Sequence, residues 1–157
     1  MIRSFTINYY LCKEFLKTLL TISIVFFGFG LIINLFEEIN FFKDYEVGLY
    51  LPIILSFLYV PSLFYNMFPF IILLSGIWFF LNIKKTDEVT ALKISGMSNF
   101  SIIIAPSVLV IFLGIFYIMG VNPITSVLVE KYERTKGSFE KDQDYLASIT
   151  VNGIWIK

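Results

Sequence analysis

The chain has no histidine and a single cysteine, Cys12. The first absence removes the commonest proton shuttle and metal ligand, and the second rules out a disulfide within the chain. Charge is scarce too. Asp, Glu, Lys and Arg together make up 15% of the 157 residues, against about a quarter in an ordinary soluble domain. Formal net charge is zero, so there is no basic excess to hold nucleic acid. The sequence contains no G-x-x-x-x-G-K-[ST] loop and no acidic cluster at metal-ligand spacing. No cofactor is therefore expected on this chain, and any ATP hydrolysis has to come from a partner.

What is present is apolar. Hydrophobic residues reach 57%, phenylalanine alone supplies 18 residues, and mean hydropathy is +0.80. Residues 18–36, 47–83 and 94–129 carry no charge. Runs of that length read as membrane-spanning helices, because only a helix closes all its backbone hydrogen bonds inside lipid. Three spans are expected, at about 16–36, 61–82 and 100–121. The first apolar run exceeds a signal-peptide core and is not followed by an A-x-A-like site, so it reads as a retained anchor. Cys12, at its start, reads as a small apolar filler. Gly28 and Gly30 suit either close approach of a neighbouring helix or a lipid-facing surface.

Charge sets the orientation, since Lys and Arg near span ends favour the cytoplasm. The N-terminal flank carries Arg3, Lys13 and Lys17 against Glu14, and residues 84–99 carry Lys84, Lys85 and Lys93 against Asp87 and Glu88. The loop between them has Lys43 against Glu37, Glu38, Asp44 and Glu46. One span between that loop and the island puts both lysine-rich segments, and the N-terminus, in the cytoplasm. Two spans would push Lys84 and Lys85 outside. The surplus, 47–59, is then expected to lie along the outer interface, with Tyr50 and Tyr59 at the water–lipid boundary and Glu37 and Glu38 as boundary markers.

Asn122-Pro123 is expected to end the third helix, because proline restricts the residue before it. Residues 130–144 mix acids and bases, and SITVNGIWIK alternates apolar and polar around Asn152-Gly153, a tight-hairpin signal. A lone hairpin is marginal in water. A larger extracytoplasmic β domain is therefore expected, with 130–157 as its start and the chain a piece of a longer protein. The expected fold class is membrane all-α, with three transmembrane helices over 1–129, followed by the start of that β domain.

The charged island predicts a short amphipathic helix over 86–96. Thr86 is placed to cap it, Asp87 and Glu88 sit on the positive end of its dipole, Val89 and Leu92 share a face, and Gly96 stops it. Ser98 or Asn99 can then cap the next helix. Taken alone, such a segment reads first as a helix lying on the lipid surface, and second as a docking helix.

The stretch MFPFIILLSGIWFFLNIKKTDEVTALKISGMSNFSI resembles the signature region of the lipopolysaccharide-export permeases, the LptF/LptG family: a span opening on F-P, a polar break, then S/D-E, six residues and S/C-G. NPITSVLVEKYER and GIWIK are similar to the same family at matching positions, and the likeness is greatest to the LptG type. The resemblance implies a non-catalytic permease subunit of an ABC exporter in a bacterial inner membrane. It would pair with a sister permease (LptF-like), clasp a cytosolic ATPase dimer (LptB-like) that supplies ATP, and pass lipopolysaccharide from the lipid bilayer to periplasmic bridge proteins (LptC/LptA-like). It also implies that the β domain is a jellyroll.

By the same resemblance Glu88 meets the ATPase, with Asp87, Leu92, Lys93 and Gly96 around it on the coupling helix. Substrate-contact candidates are Asn34, Lys43, Lys131 and Arg134. Asn34 stands where LptG-type members carry a lysine, so it brings hydrogen bonds and no charge. Glu130 and Glu133 stand where basic residues are expected, and the plain reading of Lys43, Lys131 and Arg134 is solvated loop charges. Two other function classes stay open on the residues. One is a membrane scaffold or sensor with an extracytoplasmic β domain, whose island binds nothing cytosolic. The other is a membrane-embedded lipid-modifying enzyme, for which the sequence offers no acid–base pair.

Overall fold

A computed structural model describes residues 2–45 and 47–152, with side chains for 5–45 and 47–139. Its described residues form helices and turns, with no strand. Helix α1 spans Ile2–Phe41 and is followed by a 3-10 turn at Phe42–Asp44; α2 spans Tyr50–Lys85, α3 Glu88–Ile94 and α4 Asn99–Phe116. A π turn at Tyr117–Val121 joins α4 to α5, Asn122–Asn152. Three stretches are long and apolar enough to cross a membrane: Phe5–Asp44, Tyr50–Lys85 and Asn99–Phe139. Each contains one of the three expected spans.

The helices outrun those spans for identifiable reasons. Forty residues at 1.5 Å each make α1 about 60 Å long, roughly twice the hydrocarbon thickness of a bilayer. Segment 47–59, expected as a separate interfacial piece, instead enters α2 at Tyr50 without a break before Pro61. Pro52 falls in the first turn, where its missing N–H has no helical partner to lose. Pro61 and Pro69 lie inside α2. Asn122-Pro123 does not end the third helix either. Proline at 123 would crowd the carbonyl four residues back. The chain widens one turn instead, and Asn122 N–H reaches the carbonyl of Tyr117, five residues back. The helix then continues through the mixed-charge stretch. Residues 148–152, expected as the first hairpin strand, continue α5; Gly153 and the expected second strand lie outside the described residues.

Two apolar clusters hold the bundle, one toward each end. At the α3 end, Leu11, Phe15 and Leu19 of α1 meet Ile71, Phe79 and Ile83 of α2 and Ile102 and Ala105 of α4. Phe15 and Phe79 pack edge to face with ring centroids 5.7 Å apart. Cys12 is half-buried here, its thiol donating to the Ala105 carbonyl at 3.4 Å, so it links α1 to α4. At the opposite end Phe42, Leu55 and Tyr132 are buried together, with Phe139 packed alongside. Gly30 faces Val60 of α2 at ordinary contact distance, whereas Gly28 faces open space.

Candidate functional site

The turn from α2 into α3 is set by backbone geometry rather than by the expected cap. The Thr86 hydroxyl donates back to the carbonyls of Asn82 and Ile83, and its N–H bonds Asn82, so Thr86 belongs to the end of α2. Asp87 takes the corner, with φ +56 in the left-handed region that Asp tolerates better than most residues. At the far end Gly96 adopts φ +86, where a residue with a Cβ is strained. The Met97 N–H reaches back to Leu92 and the Gly96 N–H to Lys93, closing the helix as its glycine predicts. Ser98 then caps α4 by accepting from the Ser101 N–H at 3.2 Å. Seven helical residues are thus clamped between two tight corners.

Val89, Leu92 and Met97 pack onto the apolar cluster at this end of the bundle. Leu92 therefore faces inward, holding α3 in place. The outward face carries Asp87, Thr90, Lys93 and Gly96, all exposed, with Ile94 83% exposed. Glu88 is half-buried, and its Oε2 accepts a hydrogen bond from the Tyr10 hydroxyl of α1 at 3.0 Å. Sequence reasoning missed Tyr10, because nothing local ties it to a residue 78 positions away.

The four substrate-contact candidates are not brought together. Asn34 is buried, 1% exposed, and its amide has no hydrogen-bond partner among the described residues. Lys43 and Lys131 are exposed, and exposed Arg134 pairs with Glu130 at 2.6 Å, one turn earlier on α5. A groove of about 520 Å³ between α1 and α2, lined by Lys17, Thr18, Thr21, Trp78 and Asn82 among others, contains none of the four.

A different polar cluster lies at the opposite end from α3. Glu38, expected as a boundary marker, is fully buried. Its Oε1 accepts from the Tyr132 hydroxyl at 2.7 Å and from Lys136 Nζ at 2.9 Å, and Lys136 also donates to the Tyr132 oxygen at 2.7 Å. Lys136 Nζ sits 4.5 Å from the centroid of the Phe41 ring, a cation–π contact. Tyr132 in turn stacks on Tyr59 of α2 at 4.7 Å. The available sequence signal was faint: Tyr132 and Lys136 one turn apart on α5.

Neither the curated proteins nor the solved structures provide a match. The family model of the lipopolysaccharide export system permease LptF/LptG, however, matches residues 9–157, nearly the whole chain and all three membrane-capable helices. The chain belongs to that family, as a multi-pass inner-membrane permease component of lipopolysaccharide export.

Proposed function

We propose that this permease is driven by a separate cytosolic ABC ATPase that docks on α3, and that it hands lipopolysaccharide, with a sister permease, to a periplasmic bridge. The observation that carries the reading is a seven-residue helix clamped between a left-handed Asp87 and a left-handed Gly96, with Asp87, Thr90, Lys93 and Ile94 exposed. A loop would absorb a push from a partner. A helix seated on the bundle by Val89, Leu92 and Met97 passes it on to α2 and α4 as a rigid-body displacement.

Glu88 is the residue we assign to the ATPase contact, with Asp87, Lys93 and Gly96 on the same outward surface and Leu92 beneath them. A carboxylate has about four acceptor sites. Glu88 can therefore keep Tyr10 on one oxygen and accept a charge-assisted bond from the partner on the other. This reading puts α3, and with it the N-terminus, on the cytoplasmic side. Lipid phosphate contact is assigned to Lys43 and Lys131, whose exposed ammonium groups have no ion-pair partner to displace among the described residues, ahead of Arg134, already held by Glu130.

The test is co-purification of the ATPase with the membrane-embedded permease pair, together with transport. Glu88→Ala is expected to weaken association at least tenfold or to leave hydrolysis running without export. Normal assembly with normal transport in that variant overturns the assignment.

A further inference from the structure

The buried charge cluster at the Glu38 end and the π turn below it belong to one mechanical unit. Helix α5 is continuous with α4 only through Tyr117–Val121, where the hydrogen-bond ladder steps from four residues to five. π turns and nearby prolines are where helices bend, and Pro123 follows two residues later. The Tyr117 ring lies between α2 aromatics, 3.7 Å from the Phe68 centroid and 5.2 Å from that of Tyr65. That stack holds the pivot against α2 while leaving α5 beyond it free to swing unless something ties it down.

What ties it down is a polar grip rather than a purely apolar seam. Glu38 is reached by Tyr132 and Lys136 from α5 across 94 and 98 residues of sequence. One turn further along, the Tyr45 hydroxyl donates to the Phe139 carbonyl at 3.2 Å, and Phe139 packs edge to face on Phe42. A buried ion pair is a two-state contact. Made, it gives Glu38 Oε1 two donors, while Oε2 has none among the described residues; with Lys136 removed, the buried carboxylate loses its counter-charge.

We propose that Glu38, Tyr132 and Lys136 form a charge latch that fastens α5 to α1 and α2, and that α5 is a lever which pivots at the Tyr117–Val121 π turn when the latch opens. Closed, the latch sets the direction in which the chain leaves the bundle at its Glu38 end. Open, α5 swings while α4 below the pivot stays in place. The inference does not depend on what docks at α3.

The test uses spin-label pairs in the full-length permease complex, reconstituted in nanodiscs, in a background without other cysteines. One pair, Lys43→Cys with Ser138→Cys, spans the latch on exposed positions; the other, Thr21→Cys with Ser107→Cys, lies below the pivot, also on exposed positions. In the parent protein the upper pair is expected to give one short distance. Glu38→Gln or Lys136→Met should raise a second, longer population by about tenfold or more, with the lower pair unchanged. The charge-reversed double variant, Glu38→Lys with Lys136→Glu, should return the upper pair to the short distance. If the single variants cannot be recovered from the membrane, the double variant decides: recovery with the short distance supports the latch, and failure to recover overturns it. Single variants that keep the short distance, a lower pair that shifts equally, or a double variant as open as the singles each overturn the proposal.

Discussion

Tyr10 on the first helix and Glu88 on the short third helix meet through a 3.0 Å hydrogen bond, joining residues 78 positions apart at one end of the bundle. The bond ties α3 directly to α1, in addition to its covalent links to α2 and α4. Helices α1, α2 and α4 are therefore all joined to α3.

Removing only that bond should loosen α3 without detaching it. Tyr10→Phe keeps the ring and deletes the donor, which at an exposed site costs about 1 kcal/mol or less. Amide exchange over residues 89–94 is expected to quicken a few-fold, with the rest of the bundle unchanged. Exchange at the parent rate would show that the apolar contacts of Val89 and Leu92 hold the helix alone.

Gly96 should not tolerate a side chain. Space is not the obstacle, since nothing lies within 4 Å of an added Cβ; the φ of +86 is. Gly96→Ala is expected to cost about 1–2 kcal/mol, and Gly96→Asn less, because asparagine visits the left-handed region more readily. Thermal unfolding of the two variants side by side in detergent checks the order.

Breaking the Glu38–Lys136 pair from one side should hurt more than removing it whole. Glu38→Leu or Lys136→Met each leaves its partner without a counter-charge, at a cost of about 3–5 kcal/mol, while the double variant Glu38→Leu with Lys136→Met should recover much of that. Comparing unfolding midpoints of both singles and the double completes the cycle. Additive losses would mean that the two side chains do not act on each other.

Phe79→Ala should be among the costlier apolar truncations at the α3 end. The ring is fully buried and packs edge to face on Phe15. About 3–5 kcal/mol is expected for deleting it, read as a lowered unfolding temperature and weaker retention of α3 contacts.

Sidedness has its own measurement. With Ile94→Cys as an exposed reporter on α3 and Lys43→Cys at the opposite end of the bundle, an impermeant thiol reagent added to intact cells should label the second and spare the first. Labelling at position 94 from outside would overturn the proposed docking of an ATPase on α3.

Much of the membrane architecture is legible in the charge pattern. Uncharged stretches 47–83 and 94–129 have to be helices in lipid, and the structure puts α4 within the second and all of α2 but its last two lysines within the first. The glycine stop at 96 and the serine cap at 98 are legible too, because each is a local backbone requirement met by a residue type made for it. Thr86 shows where local reasoning fails. A threonine ahead of two acids resembles a cap, but the helix before it had not ended, and its hydroxyl went backward to Asn82. Pro123 shows the same in reverse, since one widened turn let the helix continue past a residue that usually ends it.

The sequence by itself determined which stretches are long and apolar enough to span a membrane and where a short charged helix interrupts them, because hydrophobic burial in lipid and backbone closure are properties of contiguous residues. Only the tertiary structure decided which polar groups meet: Tyr10 with Glu88, and Glu38 with Tyr132 and Lys136. A glutamate at the edge of an apolar run looks like a surface marker until α5 covers it. What buries it is a pairing of helices 98 residues apart in sequence, which no local pattern encodes.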